Sequence, residues 1–372
     1  MAIELSNTHS NTPAKKSTSL SISISNNKKV SSKDRNFFFQ QILLLIQTGT
    51  PLRAGLEALI KQVDKNQIKE IIQGLIEIID QGKSFSYALS KYPEVFNATH
   101  INLISASEEG GYMDKVLQQI IDMEERNDKL KDSLISAISY PLFLASFSIA
   151  VVIFILVMVF PKFSELFEKI YDQLPLATKL LMSLSEALTD HWLVVIVTIM
   201  GSAYVFYRII ASNKGKEKID KLKLTLPLFK NVFTQVYLVQ SLRVMYLSLS
   251  NGVSVVDTLR SCKNAVQNKY YQEFLNDVER KINEGSGISI GFSQGQFIPP
   301  LVKQMISTGE NTGNLPKVMG KIADHYENEL LKHLQALSKL AEPIMLVIMG
   351  AVVGIIVSSL ILPIFMLSKA VH

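Results

Sequence analysis

The chain has 372 residues, of which 48% are hydrophobic and 19% are charged, a charged fraction that is low for a soluble protein. Its formal net charge is +5, and Cys262 is its one cysteine. A single cysteine excludes an intramolecular disulfide framework and a cysteine-based metal site. The length allows two or three domains, and the clustering of the apolar residues decides which class of protein they form.

The chain begins with a polar segment and continues into a helical one. Residues 1–33 are rich in serine, asparagine and lysine and lack the apolar core of a secretion signal, so we expect a disordered tail. Residues 34–136 show helical periodicity: a helix, a turn at Gly49–Pro51, a second helix, and a third helix that Gly82 ends. This pattern predicts a compact helical domain.

Three apolar segments indicate a membrane protein. No charged residue occurs in 133–160 or 343–367, and the segment 192–207 between them is shorter, with an aromatic residue at each end. A membrane-spanning helix needs about 20 apolar residues, a length that the middle segment reaches if Arg208 extends its charge to the membrane surface. The chain is predicted to cross a membrane at 137–160, 192–210 and 341–367. A buried core helix remains the alternative for the middle segment.

The two flanks of the middle segment differ in charge. The segment 161–191 has three lysines and five acidic residues, whereas 208–230 has seven basic residues and two acidic ones. Lysine and arginine concentrate on the cytoplasmic side of membrane proteins. We therefore expect 161–191 to be a periplasmic loop and 368–372 a short periplasmic tail. The domain 34–136 and a second domain at 211–340 would lie in the cytoplasm. The positive charge thus follows topology and gives no reason to expect nucleic acid.

The second domain repeats the first. At an offset of 202 positions, eleven of the 38 residues from Ile104 to Pro141 are identical to their partners from Ile306 to Pro343. Upstream, an offset of 203 gives further identities: Leu44/Leu247, Gly49/Gly252, Leu56/Leu259, Gly82/Gly285 and Ser86/Ser289. This is an internal duplication of about 120 residues. The predicted fold is all-α, with two homologous helical bundles, each followed by a membrane helix that starts at Pro141 or Pro343.

One short phrase stands at the same place in both copies: ISASEEGG at Ile104–Gly111 and ISTGENTG at Ile306–Gly313. We expect it to form the loop before the last helix of each bundle, because glycine adopts positive φ readily and Asn314 suits a helix N-terminus. Glu108 and Glu310 would then meet the free amides of that helix. A structural role and a partner-binding surface are both consistent with this pattern.

Motifs for catalysis and metal binding are weak. The chain has no Gly-x-x-x-x-Gly-Lys-Ser/Thr loop and is not a motor ATPase. GISIG (Gly287–Gly291) matches Gly-x-Ser-x-Gly, but a helix is predicted before it, whereas a nucleophile elbow needs a strand. His325 and His333 lack a third zinc ligand. Glu124 and Asp128 could bind a hard cation weakly, although a solvated helix face is the simpler interpretation.

A small polytopic transporter is the alternative to a scaffold. Ion and proton pathways usually contain ionisable side chains, and the apolar segments have none in their interior. Transporter repeats also lie mostly within the membrane, whereas these repeats lie mostly outside it. A membrane enzyme, the third interpretation, lacks a catalytic cluster. We predict a non-enzymatic protein with no cofactor and no metal.

Several motifs recur in the same order in both copies. They are a glycine turn (TGTPL and NGVSV), a stretch of glycine and serine (GKSFSYA and GSGISIG), a stretch of glutamate and glycine (SEEGG and GENTG) and a proline before the membrane segment (YP and EP), with LPLAT in the outer loop. From about Lys33 to Leu367 the chain resembles the F family of type II secretion and type IV pilus inner-membrane platform proteins. The motif residues, as candidates for partner contact, are Gly49, Gly82, Glu108, Gly111, Pro141, Gly252, Gly285, Gly309, Glu310, Gly313 and Pro343.

This resemblance implies a function in filament assembly. Members of the family form platforms in the bacterial inner membrane and couple a hexameric cytoplasmic ATPase to prepilins or pseudopilins. The implied partners also include other inner-membrane assembly subunits, the lipid bilayer and further copies of the chain in a homo-oligomer. The first copy departs from the family pattern at Ser107 and Gly110, and the second at Ser254. The choice between the pilus and secretion branches, the number of copies and the contact surfaces stay open.

Overall fold

The computed structural model describes residues 30–370, and every regular element in that range is a helix. Domain 1 consists of α1 (Ser32–Gln47), α2 (Leu52–Gln62), α3 (Asn66–Asp80), α4 (Phe85–Ser90), α5 (Ala98–Gly110) and the first part of α6 (Met113–Phe154). Domain 2 consists of α11 (Pro227–Ser250), α12 (Val255–Ala265), α13 (Lys269–Asn283), α14 (Ile288–Ser293), α15 (Pro300–Asn311) and the first part of α16 (Leu315–Ala370). The connecting helices are α7 (Pro161–Phe167), α8 (Leu176–Asp190), α9 (Trp192–Ala211) and α10 (Asn213–Thr225). The prediction of an all-α protein with two homologous bundles is confirmed.

The first helix begins earlier than expected. Residues 1–29, most of the predicted tail, lie outside the described residues, but α1 already starts at Ser32. The Ser31 side chain accepts a hydrogen bond from the Asp34 amide, and the Asp34 carboxylate accepts one from the Ser31 amide. This reciprocal capping box is a strong local start signal, and it overrides the polar composition of the segment.

The two domains have equivalent cores. The apolar faces of the amphipathic helices pack together in each domain. Many positions related by the sequence repeat are fully buried in both copies. Examples are the pairs Phe39/Leu242, Ile72/Leu275, Leu75/Val278 and Leu117/Met319. The residue types differ in all four of these pairs, but their burial is the same. The two copies have therefore kept the pattern of apolar positions more strictly than the identity of the residues.

Within residues 30–370, three helices are long and apolar enough to span a membrane, and they lie at Met113–Val159, Trp192–Ala211 and Leu315–Phe365. The prediction of three spans is confirmed, but the expectation that a new helix starts at each proline is wrong. Pro141 lies inside α6 and Pro343 inside α16. Prolines are tolerated within membrane helices, where no water competes for the backbone and neighbouring groups satisfy it. The expected boundaries at 136/137 and 340/341 therefore fall inside continuous helices.

The segment 161–191, expected as a simple loop, is mostly helical and packs on the ends of the membrane helices. Leu156, Phe160, Phe167, Leu174 and Met182 form a small apolar core separate from those of the two domains. Two hydroxyls attach α8 to its neighbours: Thr178 donates to the Ser359 carbonyl at 3.2 Å and Ser185 donates to the Leu156 carbonyl at 2.6 Å.

The Leu156 carbonyl belongs to a π-helical turn at Ile155–Val159. The Ser185 hydroxyl therefore joins α8 to the irregular backbone at the end of the first membrane helix. Thr178, the threonine of the LPLAT motif, anchors α8 to α16 through its hydrogen bond to the Ser359 carbonyl.

The two domains contact each other through different faces. Domain 1 presents α5 and α6, whereas domain 2 presents α11, α12 and part of α16. The Asn102 side-chain amide donates to the Ser261 hydroxyl at 3.1 Å, and the Tyr112 hydroxyl donates to the Asn251 carbonyl at 3.0 Å. The Asn251 side-chain amide donates to Gln119 at 2.7 Å. The turn at Gly252 thus lies against the turn at Gly111, and the contact is not a symmetric pairing of equal surfaces.

Candidate partner-binding site

Six of the candidate glycines form turns that require positive φ. The angles lie between 67° and 84° at Gly49, Gly82, Gly111, Gly252, Gly285 and Gly313, and no other residue type among the described residues has positive φ. L-residues with a Cβ pay a steric penalty in this region. The prediction of a left-handed backbone at Gly111 and Gly313 is confirmed. These glycines form the turns at which helices of the two bundles end.

Gly309 has a different role, which is close helix packing. A Cβ atom built at this position would lie 3.0 Å from the Cβ atom of Val318 and 3.3 Å from the Leu315 Cα atom. The absence of a side chain therefore lets α15 approach α16. In domain 1 the equivalent residue is Ser107, which is buried and whose hydroxyl donates to the Ile104 carbonyl at 2.7 Å.

The glutamate of the repeated phrase in domain 1 does not cap the helix expected from the sequence. Glu108 lies within α5 and not in a loop before α6. Its carboxylate accepts hydrogen bonds from the Phe85 amide at 2.6 Å and the Ser86 amide at 3.1 Å, and it also accepts one from the Ser86 hydroxyl. These amides form the first turn of α4, where helices have unpaired N–H groups. The glutamate therefore joins α5 to α4.

Glu310 repeats this arrangement in domain 2. It lies within α15, and its carboxylate accepts hydrogen bonds from the Ile288 amide at 2.7 Å and the Ser289 amide at 3.0 Å. A Cβ atom at Gly287 would lie 2.6 Å from the Glu310 carboxylate. The glycine before α14 thus gives the carboxylate room to reach the backbone. The expectation that Glu108 and Glu310 meet the amides of the following helix is wrong.

Two sequence motifs are therefore parts of one structural unit, which we call the glutamate cap. It consists of Glu108 and the first turn of α4 in domain 1, and of Glu310 and the first turn of α14 in domain 2. Sequence reasoning missed this pairing, although the near-constant spacing between Ser86 and Glu108 and between Ser289 and Glu310 was a signal. Because Ser289 lies in a capped helical turn after an extended glycine, Gly287–Gly291 is not a nucleophile elbow.

A buried charge cluster in domain 1 also escaped the sequence analysis. Glu124 is only 3% exposed, so the expectation of a solvated helix face is wrong for this residue. Its carboxylate accepts hydrogen bonds from Arg35, from Ser32 at 3.2 Å and from His100 Nε2 at 3.0 Å. His100 is fully buried. We call these four residues the Glu124 cluster; it connects α1, α5 and α6.

The environment of the cluster decides its protonation. Burial opposes ionisation of Glu124, but the hydrogen bonds from His100 and Arg35, together with the positive charge of Arg35, prevail and lower the pKa of Glu124 from 4.5 to about 2. Burial lowers the pKa of His100 below 6.5, against the opposing effect of Glu124. At neutral pH the imidazole is therefore neutral and donates its Nε2 proton, while Arg35 supplies the positive charge.

The remaining polar candidates are dispersed. His325 and His333 are both exposed, and His333 Nδ1 lies 3.2 Å from the Gln235 side-chain oxygen. Asp128 is half-buried one turn after Glu124. Within residues 30–370, no three His, Cys, Asp or Glu side chains are grouped so as to hold a metal ion.

The candidate residues thus do not converge on one pocket. The glycines lie at helix ends or packing contacts, the glutamates cap short helices, and the two prolines lie within long helices. Together they define a class of protein: a duplicated, all-helical, polytopic membrane protein whose two bundles each continue into a membrane helix.

Comparison with known proteins gives the family. The family model described as "Type II secretion system (T2SS), protein F" matches two segments, residues 38–161 and 241–363, and the chain belongs to this family. The matched segments correspond to the two copies seen in the sequence and in the structure. The family resemblance is thereby confirmed.

Relatives come from both branches of the family. The chain is 30% identical to the type IV pilus assembly protein PilC of Thermus thermophilus, covering 90% of this chain and 82% of the relative. It is 26% identical to PilC of Pseudomonas aeruginosa, covering 92% of each. It is 24% identical to the type II secretion system protein F of Vibrio cholerae, covering 90% of this chain and 82% of the relative.

Proposed function

We propose that this protein is a non-enzymatic platform in the bacterial inner membrane that couples a hexameric cytoplasmic ATPase to the insertion of prepilins or pseudopilins into a growing filament. The named relatives support a platform role in a pilus or secretion machine. The two bundles would meet the motor in the cytoplasm. The membrane helices, with their exposed apolar side chains, would meet the pilins, other inner-membrane subunits and the lipid bilayer.

The observation that carries this proposal is the continuity of the helices from bundle to membrane. α16 has 56 residues and α6 has 42, which correspond to lengths of about 84 Å and about 63 Å. Arg243 forms ion pairs with Asp324 at 2.7 Å and Glu327 at 2.6 Å and so fastens α11 to α16. A displacement of a bundle by a motor would pass along a stiff helix to the pilin contact.

Insertion of two glycines after Leu340 tests the rigid coupling. Glycine is the least favourable non-proline residue in a helix, and the insertion also rotates the membrane half of α16 relative to domain 2. We expect filament assembly, or secretion of the machine's substrate, to be lost in a strain that lacks the native copy. The chain should still be found in the membrane at its normal level, and the motor should keep its ATPase activity.

The matched control is the same insertion after Asp64, an exposed position in the loop between α2 and α3. It lengthens the chain equally but interrupts no helix, so assembly should continue. Normal filaments from the chain with the insertion after Leu340 would contradict rigid coupling. Loss of that chain from the membrane would instead locate the defect in folding.

The cytoplasmic orientation of both bundles is tested separately. In a Cys262→Ala chain, Asp172→Cys should react with a membrane-impermeant maleimide in intact spheroplasts, whereas Lys214→Cys should react only after lysis. Both positions are exposed; Asp172 precedes α9 in the chain and Lys214 follows it. The expectation follows from the excess of basic residues after α9. Labelling of Lys214→Cys in intact spheroplasts would contradict the proposed cytoplasmic position of the segment after α9.

A further inference from the structure

A cleft of about 1190 Å³ lies where domain 1 and α10 meet two of the membrane helices. α6 lines it from Glu124 to Leu134, up to the start of its uncharged segment, and α9 lines it with its last turn, Tyr207–Ala211. The volume exceeds the roughly 300–1,000 Å³ of most small-molecule sites, so the cleft has room for an extended ligand.

The lining of the cleft changes from apolar to polar along α6. Leu134, Tyr207 and Ile210 lie at the membrane end, and a tyrosine at this level is typical of the boundary between bilayer and water. Glu124 lies ten residues before Leu134, which is about 15 Å along the helix. The side chains around it in the cleft are polar: Ser32, Arg35 and Asn127. A ligand that fits this lining has one polar end and one apolar end.

The charged side chains of the cleft leave an excess of positive charge. Within residues 30–370, neither Lys131 nor Lys216 forms an ion pair, and both are exposed. Asp128 is the one carboxylate of the cleft that likewise has no ion pair among these residues. Two ammonium groups and one carboxylate leave one net positive charge. The other charged groups of the cleft are already paired: Arg35 with Glu124, and Lys223 with Asp220.

The cleft also separates two parts of the chain that are not bonded to each other. α10 forms hydrogen bonds and ion pairs with the start of α13 through Asp220 and Glu217. No hydrogen bond or ion pair within residues 30–370 joins α10 to domain 1. A ligand held by Lys131 of α6 and Lys216 of α10 would connect them.

We propose that this cleft binds an anionic phospholipid, with its phosphodiester held by Lys131 and Lys216 and its acyl chains passing Leu134 and Ile210 into the bilayer. One negative charge on the phosphodiester matches the excess charge of the cleft, and basic pockets beside membrane helices suit such headgroups. A soluble phosphate would leave the apolar end unfilled. Only the choice of the cytoplasmic leaflet rests on the topology proposed above.

Quenching of a tryptophan in the cleft by brominated lipids tests the proposal. The chain has one tryptophan, Trp192, at the opposite end of α9. In a Trp192→Phe chain, Tyr207→Trp places the reporter in the cleft, whereas the native chain reports lipids at the other surface. Each full chain is reconstituted in phosphatidylcholine vesicles that contain brominated phosphatidylglycerol. The preference for phosphatidylglycerol should be at least about tenfold greater at Tyr207→Trp than at Trp192, because each basic side chain near a membrane surface contributes about fivefold.

Removal of the two lysines should abolish this preference. In the Tyr207→Trp chain, Lys131→Gln with Lys216→Gln should bring it within about twofold of the value at Trp192. Each single substitution should give an intermediate value, which decides the question if the double variant fails to reconstitute. The matched control is Lys129→Gln with Lys218→Gln, which removes equal charge from exposed positions of α6 and α10 outside the cleft. It should keep the preference.

Four results would overturn the proposal. They are an equal preference at Tyr207→Trp and at Trp192, an equal loss in the two double variants, equal selection of brominated phosphatidylethanolamine, and displacement by inorganic phosphate beyond the effect of sodium chloride at the same ionic strength. The last would make the cleft a site for a soluble anion. Because the vesicles carry the same lipids in both leaflets and need no motor or pilin, failure here would leave the proposed topology and platform role untouched.

Discussion

Replacement of Glu124 by alanine is expected to destabilise domain 1 more than any other single change discussed for this protein. Removal of one partner from a buried ion pair costs about 3–5 kcal/mol, because the other charge stays buried without compensation. Here Arg35 would keep only partial access to water, and the His100 Nε2–H would lose its acceptor. For a domain of this size, the thermal midpoint should fall by more than about 10 °C.

The measurement needs a reporter inside domain 1. Leu59 is 1% exposed and is the counterpart of Cys262 in the repeat, so Leu59→Cys in a Cys262→Ala chain places one buried thiol in domain 1. Its reaction with a fluorogenic maleimide during heating of the detergent-solubilised chain reports opening of that domain. Glu125→Ala, next in sequence and half-buried, is the control and should shift the midpoint far less. Equal midpoints for the two variants would exclude a central role for the cluster.

The same cluster predicts a pH dependence. The pKa of Glu124 is about 2 in the folded chain, below its usual 4.5, so the folded state binds fewer protons than the unfolded state. Its contribution to stability is complete above about pH 4.5 and is lost as the pH falls towards 2. His100, whose pKa is lowered by burial, acts in the same direction below about pH 6.5. Glu124→Gln should remove the loss of stability that begins below about pH 4.5 and keep the loss that begins below about pH 6.5.

Replacement of Glu310 by alanine is the second large change. Two amides of α14 would lose a charged acceptor, at a cost of about 2 kcal/mol, and the midpoint of domain 2 should fall by roughly 5–10 °C. The native thiol of Cys262 is fully buried in domain 2 and serves as the reporter. Asn311→Ala, at the exposed neighbouring position, should change the midpoint little.

The equivalent substitution in domain 1 should be milder. α4 has a second cap, because the Ser84 hydroxyl accepts a hydrogen bond from the Tyr87 amide at 3.1 Å. Position 287 in domain 2 is a glycine and offers no side-chain cap to α14. With Leu59→Cys as reporter, Glu108→Ala should therefore lower the midpoint of domain 1 by about half as much. A larger effect from Glu108→Ala would contradict this account.

Assembly assays on the same variants separate a structural role from a partner-binding one. If the glutamate caps only stabilise the bundles, Glu310→Ala and Glu108→Ala should assemble filaments at a temperature where both chains are folded and present in the membrane at normal level. We expect any defect at higher temperature to be larger for Glu310→Ala. Loss of filaments with full folding and normal membrane level would instead make Glu310 part of a contact surface.

Local patterns in the sequence were enough to predict the class of protein. Runs of uncharged residues predict membrane helices, because each span is a local segment of known length. The repeated phrase reveals the duplication, and the glycine turns follow from the backbone freedom of single residues such as Gly111 and Gly313. Each of these properties depends on residues that are near one another in the chain, and each agrees with the structure.

The contacts that define the sites depended on tertiary structure. Glu108 meets Ser86 across 22 positions, and Glu124 meets Ser32 across 92 positions; no local pattern indicates which amide or charge a carboxylate will reach. The continuity of α6 through Pro141 depends on the surroundings of the freed backbone groups. The sequence by itself determined the duplicated membrane protein with its turns and spans. Only the folding of distant segments against each other decided which carboxylates are buried, which helices they cap, and which faces of the two domains meet.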